Sequence, residues 1–299
     1  MDEARIEVTS AQYVLRRLVV ARGIRELAAG DLEARAAVPG ADEVAALASD
    51  VNALALRLGE ARAERIALDR ERRDLTASIS HDLRTPLSTI RAMVDALDDG
   101  VVSDTAGMKR YFVTIRRDIE RLDRMIDDLF ELAQMDAGAL RLQRDHVALH
   151  EIVGDVVSAM RPRAEQAGLT LDLVIAGETS EALLDGDRLE RAVANLLRNA
   201  IEHTPPGGRV WVTVAESGGQ VSLEVADTGE GIDPAVLPNI WTRFYRAERS
   251  RARPDAGSDG AGLGLAITRG IVEAHGGTVE VASEPDLGTT FTVRIPVSR

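Results

Sequence analysis

Ser80-His81-Asp82-Leu83-Arg84-Thr85-Pro86-Leu87 sets a potential nucleophile beside a carboxylate and follows both, about one turn on, with a helix-bending proline. Around it Leu75, Ile79, Leu83, Leu87, Ile90, Val94 and Leu97 recur at three- and four-residue steps, the spacing of one apolar helical stripe. With each residue advancing about 100°, His81 lies roughly 200° and Thr85 roughly 240° around from Ile79, both opposite the stripe. The imidazole is therefore expected in solvent. Pro86 brings no amide hydrogen and crowds the carbonyl of Asp82, so a bend is expected at His81 and Asp82. A neutral imidazole can attack a phosphoryl group when a neighbouring carboxylate orients one ring nitrogen and stabilises the charge that develops. Alone, the pair reads more readily as a surface histidine on a bent bundle helix.

Working outward, the His81 helix is expected to end near Asp98-Asp99-Gly100, and a second helix carries Phe112, Ile115, Ile119, Leu122, Ile126, Leu129 and Ala133 in unbroken heptad alternation. Met135-Asp136-Ala137-Gly138 closes that helix with a glycine suited to a C-terminal cap. Two such helices joined by a short polar loop form an antiparallel hairpin, and their narrow stripes are best buried by a second copy, as a four-helix bundle in a homodimer. A monomeric hairpin docked on the rest of the chain is the competing reading. Upstream, residues 1–22 carry no clear pattern. A helical run with Ile24, Leu27 and Ala28 ends at Gly30, a connector holds Pro39-Gly40, and a second run (Val44, Leu47, Val51, Leu54, Leu58) starts after Asp42 and continues without a breaker into the His81 helix.

Composition bounds the function classes. The 299 residues suggest two or three modules, and 36 basic against 49 acidic residues leave a net charge of −13, which disfavours nucleic acid or an anionic membrane surface as the main partner. No cysteine is present, which excludes disulfides, thiolate-zinc sites and thiol catalysis. No segment approaches the ~20 apolar residues that span a bilayer, and no signal-peptide pattern is evident, so the chain as given reads as soluble.

Beyond about residue 142 the pattern changes. A helical stretch from Leu149 to Ala167 precedes an alternating strand from Leu169 to Val174. Arg209 to Ala215 and Val221 to Ala226 read as a hairpin around Ser217-Gly218-Gly219, and Thr278 to Ala282 with Thr290 to Ile295 make a last pair. This mixture implies an α/β sandwich with helices over one face of a sheet. Four stretches in it look like parts of one nucleotide site. Asn195 and Asn199 share a helical face, and their side-chain carbonyls are hard oxygen donors suited to magnesium; Asp187, with Glu190, is the expected N-terminal cap of that helix. Asp227-Thr228-Gly229-Glu230-Gly231 follows a strand, where a carboxylate can accept from an adenine amino group and Gly229 and Gly231 let the backbone approach the base. Gly260-Ala261-Gly262-Leu263-Gly264-Leu265 opens a helix and presents backbone amides to phosphates. Arg246 to Ser258, polar and Arg-rich, suits a lid over a triphosphate. His146 and His150 lie four apart without ligand partners at metal-site spacing, and His275 is expected to end a helix, where imidazole favours the dipole.

SHDLRTPL resembles the phosphoacceptor box of the sensor histidine kinases of two-component systems. NLLRNAIEH, DTGEGI, WTRFYR and GAGLGLAI, in that order, resemble the asparagine, first glycine, phenylalanine and second glycine boxes of that family's ATPase domain, within the wider superfamily of gyrase, Hsp90, histidine kinase and MutL. The run from Ala28 to Leu58 resembles a HAMP signalling module. The resemblance implies an ATP-dependent protein-histidine kinase in which His81 is phosphorylated, Asp82 acts as general base, and Thr85 positions water for the reverse, phosphatase reaction. It also implies Asn199 on Mg2+, Asn195 beside the phosphates, Asp227 on adenine, Phe244 anchoring the lid, Arg246 near the phosphates, and Gly260, Gly262, Leu263 and Gly264 shaping the phosphate loop. His203 stands where the family often has Tyr near the base, and Glu202 where Lys or Arg is frequent.

The expected organisation is an unassigned segment at 1–22, a HAMP-like module at 23–62, a dimerisation and phosphotransfer hairpin at 63–142, and the ATP-binding domain at 143–299. The expected partners are a second copy and the receiver domain of a response regulator. The chain is expected in the cytoplasm, with a sensor anchored in the plasma membrane upstream of it in the natural protein. Another ATPase of the superfamily and a non-catalytic dimeric adaptor are the rival readings.

Overall fold

The computed structural model describes residues 2–40, 42–102, 104–177, 180–245 and 262–297. The chain divides into two compact units, Met1–Ala77 and Ser78–Arg299.

In the first unit, helix α1 (Asp2–Ala28) begins far earlier than the sequence pattern suggests. Residues 2–22 contain neither glycine nor proline, and the apolar positions Val14, Leu15 and Leu18 stay exposed, so nothing in their spacing announces a buried face. The helix stops at Gly30, whose φ of +95° no β-carbon residue adopts cheaply. Helix α2 (Glu43–Asp98) starts on Asp42, whose carboxylate accepts from the Ala45 amide at 3.1 Å and from both terminal nitrogens of Arg16 at 2.6 and 2.7 Å. The amide of Ala45 and then Arg16 hold the Asp42 carboxyl below its ordinary value. Asn52 accepts from the Ala36 amide at 2.9 Å and donates to the Ala36 carbonyl at 3.1 Å, so one side chain satisfies both backbone groups of the extended connector. Val20, Ala36, Val44 and Ala48 form a small buried cluster. A β-carbon on Gly23 would lie 3.1 Å from the Ala36 Cβ, which is why a helix interior carries glycine there.

In the second unit, α2 passes through Pro86 and ends at Asp98, and α3 (Thr105–Asp136) returns from it after the turn at Gly100. Asp104 caps α3 through the Gly107 amide at 2.7 Å, and Gly138, at φ +60°, closes it. The α/β portion follows as β1 (Asp145–Ala148), α4 (Leu149–Gln166), β2 (Thr170–Ala176), β3 (Glu181–Leu184), α5 (Gly186–His203), β4 (Arg209–Ser217), β5 (Gln220–Asp227), a 3-10 turn at Leu237–Asn239, α6 (Gly264–Ala274), β6 (Thr278–Glu284) and β7 (Gly288–Pro296). The main sheet has the order β2-β4-β5-β7-β6, antiparallel except for the parallel β2–β4 pair, and β1 pairs with β3 in a separate two-stranded sheet. Those two four-residue strands are too short to show a period, and the sequence pattern misses both.

Alternate residues of β4, β5 and β7 point Val210, Val212, Val214, Leu223, Val225, Phe291 and Val293 into one core with Val153, Leu196, Leu197, Ile267 and Ile271 from the helices. Met125 and Leu132 of α3 belong to the same core. The hairpin is further tied to the α/β portion by charge. Glu131, only 3% exposed, meets Arg188 at 2.7 Å and Arg191 at 3.0 Å, while Arg191 also reaches Asp128 at 2.6 Å and Arg243 forks onto Asp136. Gly270 of α6 leaves room for the Met135 sulfur, which would sit 2.5 Å from a β-carbon there.

Candidate functional site

The acceptor half of the site is built by one turn of α2. The apolar face turns Leu83 toward the core, and His81 projects the other way, with 80% of its side chain exposed. His81 Nδ1 lies 3.1 Å from Asp82 Oδ1. An ionised carboxylate can only accept, so this contact places the imidazole proton on Nδ1 and leaves the Nε2 lone pair facing solvent. Pro86 cannot donate to the Asp82 carbonyl, and Thr85 Oγ1 donates to the His81 carbonyl at 3.2 Å, a back-bond of the kind that bends helices. Thr89 repeats it on the Thr85 carbonyl at 3.2 Å.

The nucleotide half gathers residues far apart in the chain. Asp227 ends β5 with 5% exposure, and its Oδ1 accepts from the Gly229 amide at 2.8 Å and the Thr289 amide at 3.2 Å. Both donors use Oδ1, so Oδ2 remains to accept from a ligand. Burial raises the Asp227 carboxyl above its ordinary value, against the pull of those two amides. Two positions of the loop that follows have no room for side chains: a β-carbon on Gly229 would come within 2.5 Å of the His203 carbonyl oxygen, and Gly231, at φ +65°, lies against Glu284 and Pro285. His203, the last residue of α5, accepts the Glu230 amide on its carbonyl at 3.2 Å and pairs Nδ1 with Glu230 Oε1 at 2.9 Å, so that helix and loop are joined twice.

Asn195 is buried on α5 and donates to the Gly264 carbonyl at 3.3 Å, fixing α5 against the start of α6, while Asn199 sits half-buried one turn further along the same face. Asp185, not Asp187, caps this helix. Its extended backbone stands just before Gly186 and its Oδ1 accepts the Arg188 amide at 3.2 Å, so the helix begins two residues earlier than expected. Leu263 is fully buried and belongs to the hydrophobic core. Gly262, at φ +71°, accepts the Phe244 amide at 2.9 Å, and Phe244, itself at φ +58°, packs against the core. Phe244 and Gly262 thus fix the two ends of the intervening segment side by side. Arg246, Gly260 and the expected lid at residues 246–258 lie outside the described residues.

His275 ends α6 as expected, but not as a charge on its dipole. It is buried, Nδ1 donates to the Ile271 carbonyl at 2.8 Å, and Nε2 accepts the Asp185 amide at 3.0 Å. That pattern needs a neutral ring, and burial lowers its affinity for a proton. His275 therefore joins the end of α6 to the cap of α5 and is no cation on a dipole. The sequence reading also missed Gly288 and Thr289, which meet Asp227 from β7 across 62 residues.

The arrangement suits an adenine nucleotide: a buried carboxylate with one oxygen to spare, glycines where β-carbons would collide, and a helix start that Asn195 ties to α5. Among the described residues no group of three His, Cys, Asp or Glu could hold a metal. The side-chain oxygens of Asn195 and Asn199 are donors of the hard kind that suits an ion such as magnesium. No described helix is long and apolar enough to cross a membrane.

Three family models match in succession: the HAMP domain over residues 18–60, the His Kinase A (phospho-acceptor) domain over 71–138, and the histidine kinase-, DNA gyrase B-, and HSP90-like ATPase over 184–299. The signal transduction histidine-protein kinase BaeS of Escherichia coli (strain K12) is 35% identical over 277 residues, covering 93% of this chain and 56% of BaeS. The chain spans about half the length, or less, of the curated relatives it matches. Full-length ShkA in complex with AMPPNP is 28% identical with a TM-score of 0.56, covering 75% of this chain and 46% of ShkA. Histidine kinase ThkA in complex with response regulator protein TrrA has a TM-score of 0.58 at 22% identity, covering 81% of this chain and 66% of ThkA, and shows the shared fold. With an exposed imidazole held by a carboxylate on one helix and a glycine-lined carboxylate pocket in the domain that follows, the chain belongs to the sensor histidine kinases of two-component systems.

Proposed function

We propose that this chain is an ATP-dependent autokinase that phosphorylates His81 and passes the phosphoryl group to an aspartate of a response regulator. The observation that carries the reading is the His81–Asp82 pair. A ring that is 80% exposed, with its Nδ1 proton held by a carboxylate at 3.1 Å, offers its Nε2 lone pair to an incoming phosphoryl group. Nε2 attacks the γ-phosphorus of ATP, the bond from that phosphorus to the bridging oxygen breaks, and ADP leaves with the electron pair. Asp82 stabilises the positive charge that grows on the ring. The new phosphorus–nitrogen bond then breaks in favour of the regulator's carboxylate, and the imidazole regains its lone pair.

In the pocket Asp227 accepts from the adenine amino group, Gly229 and Gly231 admit the base, and His203 forms the wall where α5 ends. Asn195 fixes the start of α6, where the backbone at Gly262, Leu263 and Gly264 meets the phosphates, and Phe244 anchors the segment that carries Arg246 and Gly260. Asn199 would hold magnesium, which when bound neutralises phosphate charge. Thr85, one turn from His81, would position water for removing phosphate from the regulator. The AMPPNP bound by ShkA and the regulator bound by ThkA support the nucleotide and the partner. Leu87, Val94, Phe112, Ile119 and Ile126 stay exposed on the hairpin, which supports a second copy burying them in a four-helix homodimer. An upstream sensor anchored in the plasma membrane completes the proposal, with this chain on the cytoplasmic side.

Incubation with γ-labelled ATP and magnesium tests the reading. Label that is lost in acid, kept in alkali and absent from His81→Gln is expected. Acid-stable label, or label that persists in that variant, points to another ATPase of the superfamily.

A further inference from the structure

The end of the main sheet holds a row of three polar residues, of which the proposed reaction gives a role to Asp227 and leaves the other two without one. Asp227 on β5 is paired with Thr289 on β7, and Thr289 with Ser283 on β6. Ser283 is the hub of this row. Its hydroxyl accepts the Ile232 amide at 2.8 Å, donates to the Gly288 carbonyl at 2.9 Å, and lies 2.9 Å from the Thr289 hydroxyl, which can donate to it. One oxygen thus uses its proton and both lone pairs. The two segments it joins both bear on Asp227. Ile232 ends the loop that begins at Asp227, and Thr289 gives its amide to Asp227 Oδ1 at 3.2 Å. The same strand turn makes a second tie, Asp286 donating its amide to the Glu230 carbonyl at 2.9 Å. Close packing leaves the row no slack: a β-carbon on Gly288 would collide with the Asp227 carbonyl, and one on Gly231 with that of Glu284.

We propose that Ser283 is a positioning residue for purine selection, its hydroxyl clasping the Asp227–Ile232 loop to the Gly288–Thr289 turn so that the Asp227 carboxylate is aimed at the 6-amino group of the base. The inference rests on Asp227 reading adenine, as proposed above. Ser283 does not itself touch nucleotide; it acts through the placement of a carboxylate whose own two donors stand on the segments it joins. Without the hydroxyl, the Ile232 amide, the Thr289 hydroxyl and the Gly288 carbonyl all lose their common partner. The loop and the turn then move independently, and the geometric preference for a 6-amino over a 6-oxo group falls.

Calorimetric affinities of the full chain for ADP and IDP, which differ in the 6-substituent of the base and in the proton that the 6-oxo form carries on N1, test this. The wild-type chain is expected to prefer ADP; no preference would overturn the adenine reading itself, and is thereby distinguishable from failure of the present inference. Ser283→Ala is expected to lower the ADP-over-IDP ratio roughly tenfold, the order of one well-made hydrogen bond, mostly through weaker ADP binding. Ser283→Thr is expected to restore the ratio. Equal weakening of both nucleotides, or an unchanged ratio, would make Ser283 merely structural and overturn the proposal. If Ser283→Ala does not accumulate folded, Thr289→Val strips the other hydroxyl from the row while keeping the amide on Asp227. Its ratio is expected to fall in the same direction, and an unchanged ratio there overturns the proposal.

Discussion

The acceptor turn and the nucleotide pocket solve opposite problems. His81, Asp82 and Thr85 lie within one turn of α2, and the reactive ring stands in solvent. The pocket is assembled from α5, β5, α6 and β7, and its central carboxylate is 5% exposed. Under the proposed function the acceptor must be reachable by two different partners, a nucleotide and a regulator, so its chemistry is carried by a local contact that needs no surrounding wall. A base-reading carboxylate must instead be desolvated to discriminate, because water would satisfy either base equally. The first can be encoded in consecutive residues; the second requires a fold.

Separating the two halves is the strongest way to break the comparison. His81→Gln should abolish labelling from ATP while leaving ADP affinity unchanged, since the ring takes no part in the pocket. Asp227→Asn should do the reverse to binding. It keeps an oxygen for the Gly229 and Thr289 amides but turns a donor toward the adenine amino group, and ADP affinity by calorimetry is expected to fall roughly 10- to 100-fold. If His81→Gln also weakened ADP binding, the two halves would not be independent.

The scaffold behind them is sharpened by Glu131. Truncating this buried carboxylate to alanine leaves Arg188 and Arg191 half-buried without their shared partner. A loss of about 2 kcal/mol in denaturant unfolding is expected, discounted because both guanidiniums reach water. A variant as stable as the parent would mean that the α3 contact is held by Met125, Leu132, Met135 and the ion pairs of Asp128 and Asp136 without help from Glu131.

His275 gives a smaller, pH-dependent effect. Its folded-state proton affinity is lowered by burial, so the unfolded chain takes up the proton first as pH falls. Stability should be flat above pH 6.5, the ordinary value, and decline below it, by a few degrees in thermal midpoint. His275→Gln, whose amide can still accept from Asp185, should flatten that slope. Thr85→Ala should do least to autophosphorylation, less than about threefold, because only one exposed back-bond of roughly 0.5–1.5 kcal/mol is lost. Its effect should fall on removal of phosphate from the regulator.

What could be read in the sequence follows the same division. The hairpin, its glycine stop at Gly138 and the order of the glycine boxes were legible because each depends on residues within a turn or two of one another. The cap of α5 was misplaced by two residues because Asp185 and Asp187 are both acidic and only the backbone at Gly186 decides between them. The neutral ring of His275 could not be read, since its acceptor role is set by an amide 90 residues away. Thr289 escaped for the same reason, its link to Asp227 existing only through the β5–β7 register. The earlier turns of α1 were missed because Val14, Leu15 and Leu18 stay exposed and the buried Val20 alone shows no helical period.

The central claim is that Asp82, by holding the proton on Nδ1, makes Nε2 of His81 the nitrogen that takes phosphate. Phosphorus and nitrogen magnetic resonance on ring-labelled chain phosphorylated from ATP reads this directly. The account predicts a single phosphorus–nitrogen bond at Nε2 of His81, whereas phosphate on Nδ1, on another histidine or on an oxygen would contradict it.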